Sequence, residues 1–133
     1  MLDAQEKDML AQCDVIGFIP SKDAARARNF YETTLGLRFL SDDLFAVVME
    51  SNGTMIRIVQ VKDFTPFPFT ILGWMVENME EEVSTLIERR VSFKRYPWLE
   101  QTEAGVWNAP GGAKVAWFQD PDGNVLSLSQ HPK

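Results

Sequence analysis

A single histidine and a single cysteine limit the chemistry open to this chain. A nucleophilic triad needs a base beside its nucleophile, but His131 stands near the end of the sequence and Cys13 lies ahead of the first predicted strand. One cysteine can build neither an internal disulfide nor a cysteine-based zinc site. Gly111-Gly112 has no Lys-Ser or Lys-Thr after it, so it is not a phosphate-binding loop. Glu50, Tyr96 and Glu103 could each move a proton, yet nothing in their spacing singles one out. The more suggestive residues are the four tryptophans, Trp74, Trp98, Trp107 and Trp117. Aromatic walls suit planar or cationic ligands, by stacking or by cation–π attraction. Core packing is the competing role for each of them.

Positioning such residues takes a folded body. At 133 residues, 45% hydrophobic and 24% charged, the chain has the composition of one globular domain with a sizeable core. A net charge of -6 sets its surface field against phosphate backbones, so nucleic acid is not an expected partner. The opening residues lack the basic-then-apolar pattern of a signal peptide, and no apolar run approaches membrane-spanning length. The expectation is a cytoplasmic protein with no membrane partner.

Residues 1–12 read either as a short polar helix or as a frayed arm. A compact apolar run from Val15 to Ile19 then predicts a strand, and Ser21 to Asp23 opens a helix. That helix carries an apolar stripe of Ala27, Phe30, Tyr31 and Leu35 and ends at Gly36. Leu37 to Leu40, Leu44 to Glu50 and Met55 to Val61 predict three further strands, the last two divided by the turn Ser51-Asn52-Gly53. A proline-bearing linker occupies residues 62–69.

The pattern then restarts. Ile71 to Val76 predicts a strand, Asn78 with Glu81 a capping box, and Met79, Val83, Leu86 and Ile87 the stripe of a second helix. Val91 to Tyr96, Lys114 to Phe118 and Val125 to Leu128 predict three strands, with a long loop over residues 97–112 and the turn Asp120-Pro121-Asp122-Gly123-Asn124 before the last. Laying residues 16–39 over residues 71–93 aligns strand, cap, helix and next strand, so the chain reads as a duplicated βαβββ unit.

Three stretches together resemble the vicinal oxygen chelate superfamily of glyoxalases, bleomycin-resistance proteins and extradiol dioxygenases: Ser21-Lys22-Asp23 through Asn29-Phe30-Tyr31 and Leu35-Gly36-Leu37, the restart at Ile71, and the Asp-Pro-Asp-Gly-Asn turn. The resemblance implies an α+β domain over residues 14–130, with module one at 14–61 and module two at 70–130. Each module curls its mixed sheet around a cavity, with its helix on the convex side. The facing modules come from one chain or are swapped between the subunits of a dimer, and a homodimer is expected. In metal-dependent relatives a divalent ion is held from the first and last strand of each module. The corresponding positions here are Ile16, Arg57, Ile71 and Ser127, with Ile58 in place of Arg57 if the register slips by one. Two isoleucines, a fixed cation and a neutral hydroxyl make no ligand set. No metal and no cofactor are therefore expected.

Arg57 remains open to two readings. Facing inward, its planar guanidinium would offer paired donors to an anion; otherwise it lies on a solvent edge or pairs with Glu50. By strand alternation Phe18 and Met75 face the cavity, while Trp74 packs under a helix. The resulting expectation is a metal-independent protein that sequesters or carries an aromatic or amphipathic small molecule. Phe18, Arg57, Met75, Trp98, Trp107, Trp117 and Ser127 are its candidate ligand contacts. The alternative is a metal-dependent lyase, isomerase or dioxygenase, which requires the ligand assignment to be wrong.

Overall fold

A computed structural model describes residues 9–133, and in it the βαβββ order appears twice. The expectation for residues 1–8 lies outside the described part; Met9–Gln12 form a short 3-10 turn. Module one contains β1 (Ile16–Ser21), α1 (Ala24–Asn29), β2 (Arg38–Asp42), β3 (Val47–Ser51) and β4 (Thr54–Gln60). Module two contains β5 (Thr70–Met75), α2 (Met79–Glu88), β6 (Trp107–Asn108), β7 (Lys114–Gln119) and β8 (Val125–Gln130). Each module forms its own four-stranded sheet, in the orders β1-β4-β3-β2 and β5-β8-β7-β6. In both, the first strand runs parallel to the last and the other pairs are antiparallel.

Local chemistry sets the helix ends. Asp23 caps α1 by accepting from the Arg26 amide at 3.1 Å, and Asn78 caps α2 by accepting from the Glu81 amide at 3.1 Å. After α1 the chain widens into one π-helical turn, Phe30–Thr34, closed by the Leu35 amide on the Phe30 carbonyl. Gly36, at a φ of +80°, then reverses the chain. The predicted stripe holds for α1: Ala27 and Tyr31 are buried, with Phe30 and Leu35 packed against them.

Both helices cover one face of their sheets, and those two faces share a single core. It runs from Ile19, Tyr31, Met49, Ile56 and Ile58 of module one to Met79, Val83, Phe118 and Leu126 of module two. Strand alternation follows from this. In β1 the buried Ile19 and Ser21 face the helix side, whereas Ile16 and Phe18 lie on the other face, open to solvent.

Three expectations need correction. Val91 to Tyr96 does not form a strand. Its one bond to the sheet is the Lys94 amide on the Trp117 carbonyl at 2.7 Å. Gln101 takes two of its other backbone groups, accepting from the Tyr96 amide and donating to the Lys94 carbonyl, while the Arg95 side chain caps the carbonyls of Gln101, Thr102 and Glu103 and so ties the run to the loop that follows. The sheet edge is supplied by Trp107–Asn108, from within the segment read as loop. Leu44 to Ala46 belong to a turn rather than to β3, held by amide bonds to the Asp43 carboxylate. Ile87 does not join the buried stripe of α2; it lies exposed beside a groove of about 380 Å³ that Ala104 and Val106 also line. Among the described residues no helix is long and apolar enough to cross a membrane.

Candidate functional site

The residues that could meet a ligand lie on the two open faces, and each face has its own character. On the first sheet, register places Phe18 of β1 beside Arg57 of β4, and Arg57 beside Val48 of β3. Ile16 and Met55 form the next row. Phe18 is 62% exposed, an unusual state for a large aromatic in mid-strand. Arg57 therefore stands on the open face, and its partner is not Glu50. Its Nη2 donates to Asp43 Oδ2 at 2.6 Å, while Glu50 pairs with Arg38 at 3.6 Å. The Arg57 guanidinium beside Asp43 holds that carboxyl below the usual carboxylate range.

On the second sheet, Gly73 of β5, Ser127 of β8 and Trp117 of β7 form one row. The absence of a side chain at Gly73 is what allows this row to close. A Cβ there would lie 2.6 Å from Ser127 Oγ. Next to the row runs a chain of rings: Trp107 is 6.1 Å from Trp117, Tyr96 meets Trp117 edge-on at 5.3 Å, and Trp98 leans on Tyr96 at 5.0 Å. Burial raises the Tyr96 phenol above its ordinary range, so it stays a neutral donor. Trp98, at the outer end, is 75% exposed. Trp74 lies on the helix side and donates from Nε1 to Ser51 Oγ at 3.0 Å, tying the modules together.

The seven sequence candidates thus fall into two groups. Phe18 and Arg57 share the first open face. Trp107, Trp117 and Ser127 share the second, with Trp98 joined to them through Tyr96. Met75 belongs to the second face as well, at the rim of a hollow of about 540 Å³ formed with Gln130, His131 and Pro132. The sheets are not closed on each other, and the two groups do not meet within one chain. His131 bonds Ser129 Oγ at 3.2 Å and stands exposed.

The four positions where relatives hold a metal fare no better in three dimensions than in sequence. Ile16, Ile71 and Ser127 bring one neutral oxygen, and Arg57 brings a positive charge already joined to a carboxylate. This donor set does not fit a divalent cation. Among the described residues no three His, Cys, Asp or Glu side chains converge elsewhere.

Two features escaped the sequence reading. One is Asp43, whose signal is an Asp-Asp pair just before a strand that faces Arg57. The other is the work done by the Asp-Pro-Asp-Gly-Asn turn. Asp120 Oδ2 accepts from the buried Tyr31 hydroxyl at 2.7 Å and from Asn124 Nδ2. Asp122 accepts from the Ser21 hydroxyl at 2.6 Å and from the Lys22 amide at 2.8 Å. Asn124 also donates to the Pro20 carbonyl, so the turn fastens module two to the end of β1.

Similar proteins share this arrangement. A glyoxalase family protein from Bacillus anthracis superposes with a TM-score of 0.73 at 16% identity, covering 91% of this chain and 96% of that one. Lactoylglutathione lyase from Agrobacterium tumefaciens gives 0.68 at 13% identity, over 90% and 93%. TnmS3, an antibiotic binding protein from Streptomyces sp. CB03234, gives 0.63 at 23% identity, over 90% and 95%. At such identities these likenesses show the fold alone. No curated protein matches the chain in sequence. The family model for the Glyoxalase/Bleomycin resistance protein/Dioxygenase superfamily matches residues 10–128, and the chain belongs to that superfamily.

Proposed function

We propose that this protein binds an aromatic or amphipathic small molecule without a metal, sequestering or carrying it. The observation that carries this reading is the ring array Trp107, Trp117, Tyr96 and Trp98 on an open sheet face. Such an array stacks well on planar ligands and holds a cation against its ring faces. The fold is shared with an antibiotic binding protein, which makes a binding role natural for this scaffold.

The site is completed by a second copy. Each chain bares two apolar faces, with Phe18 on one and Met75, 76% exposed, on the other. Laying the first sheet of one protomer over the second sheet of its partner covers both and sets Phe18 and Arg57 opposite the tryptophans. A two-fold pair makes two such sites. The single cysteine, Cys13, is exposed and suits a reducing, cytoplasmic setting.

Titrating tryptophan fluorescence with cationic and anionic aromatics tests the binding reading: saturable quenching is expected, and no response to any of them removes it. Light scattering tests the pairing, with dimers expected for the native chain and monomers for Phe18→Asp. The metal-dependent lyase or dioxygenase reading would replace this one if protein supplied with Zn, Ni, Mn and Fe kept any of them at one per site.

A further inference from the structure

The open face of the first sheet holds two arginines, and each is answered by a carboxylate: Arg38 by Glu50 and Arg57 by Asp43. The two pairs differ in how they are built. Arg38–Glu50 is a loose contact at 3.6 Å between neighbouring strands. Asp43 is held by the turn itself. Its Oδ1 accepts from the Phe45 amide at 3.1 Å and the Ala46 amide at 3.0 Å, which leaves Oδ2 directed at Arg57. The Asp43 amide closes the same turn on the Ala46 carbonyl, and Leu44 takes a φ of 77°, a conformation that costs a leucine energy. The turn thus accepts strain while presenting a carboxylate to the guanidinium.

A free arginine in the middle of an apolar strand face would collect carboxylates, sulfonates and phosphates through its paired donors. Here that role is filled from within the chain, and an incoming anion would have to displace Asp43 and then sit beside its charge. We propose that Asp43 masks Arg57 and thereby fixes the ligand class of the site, admitting neutral and cationic aromatics and turning away anionic ones. This inference rests on the ligand-binding reading above and sharpens it. The ring array of the second sheet favours the same class, because ring faces attract cations. Exclusion by a fixed like charge is an ordinary route to specificity.

The variant Asp43→Asn tests the mask, because asparagine keeps an acceptor for the Phe45 and Ala46 amides while losing the charge. Three probes serve: ethidium as the cation, 1-anilinonaphthalene-8-sulfonate as the anion, and inorganic sulfate read by thermal unfolding against sodium chloride of equal ionic strength. In Asp43→Asn the sulfonate should bind on the order of tenfold more tightly and ethidium several-fold more weakly. Sulfate should raise the unfolding midpoint saturably in that variant and not in the native chain, and Asp43→Asn/Arg57→Gln should cancel both changes. Dye binding with unchanged preference, or an equal sulfate response in native and variant, overturns the mask while leaving the ligand reading in place. Quenching by neither dye in either protein removes the ligand reading, and the sulfate response then decides the mask by itself.

Discussion

The two faces of each sheet follow different rules. On the helix side, Tyr31, Phe118, Ile58 and Met79 are completely buried, and among the described residues every buried side-chain polar atom has a hydrogen-bond partner. On the open side, Phe18, Met75 and Trp98 stand largely in solvent, and charges occur as compensated pairs. Single exposed apolar residues are ordinary, but rows of them on two sheet faces are not. The fold is secured from one side, so the other side is free to vary without loss of the scaffold. Substitutions that separate stability from binding test that division.

The largest effect belongs to the core. Phe118 is fully buried and meets Phe93 edge-on at 5.6 Å. Phe118→Ala should cost about 3–5 kcal/mol in equilibrium unfolding, through lost transfer energy and the cavity left behind. A loss below about 1 kcal/mol would mean that the helix side is not the core. Next comes the joint between modules. Tyr31→Phe removes the hydroxyl that donates to Asp120, at a cost of about 1.5–3 kcal/mol for a bond to a charged acceptor. Burial, reinforced by Asp120, raises the Tyr31 phenol well above its ordinary value. Its contribution is therefore intact below the unfolded value near 10 and is lost as pH climbs beyond it. Unfolding measured from pH 8 to 11 should show the native chain converging on Tyr31→Phe; parallel curves would rule out the linkage.

These substitutions also mark where the sequence was readable. Apolar periodicity located both helices and seven of the eight strand positions in outline, because a buried face writes its period into the chain. It failed at Val91 to Tyr96, an apolar run tied to the following loop by the Gln101 side chain on its Tyr96 amide and Lys94 carbonyl and by its own Arg95 side chain on the loop carbonyls, a pattern with no period to detect. The site was legible to the same extent. Alternation placed Phe18, Met75 and Trp74 on their faces, but which carboxylate met Arg57 depended on the shape of a turn, and sequence spacing gives no such information. The Asp120 turn was recognisable as a motif, while its bonds to Tyr31, Ser21 and Lys22 required the modules to be docked.

A smaller effect is expected where the open face constrains the backbone. Gly73→Ala would push a methyl to within 2.6 Å of Ser127 Oγ, and the row across β5, β8 and β7 would have to spread. Overpacking of this kind costs about 1–2 kcal/mol. Removing the hydroxyl should return most of it, since the next obstacle, the Ser127 carbonyl, is 3.4 Å away. Gly73→Ala/Ser127→Ala should accordingly be more stable than Gly73→Ala alone, and additive losses in the double-mutant cycle would contradict the contact.

The smallest stability change and the clearest binding change should fall on Trp98. It is the outermost ring of the array, touching Tyr96 at 5.0 Å and otherwise facing solvent. Little burial is lost with it, so Trp98→Ala should shift unfolding by less than about 0.5 kcal/mol. A ligand entering the array gains or loses a stacking partner there, worth about 0.5–1.5 kcal/mol beyond area alone, or roughly two- to tenfold in affinity. Paired titration and unfolding of Trp98→Ala and Phe118→Ala place the two faces on one scale. If Trp98→Ala weakened folding as much as Phe118→Ala, the ring array would be a part of the core, and the division between the faces would fail.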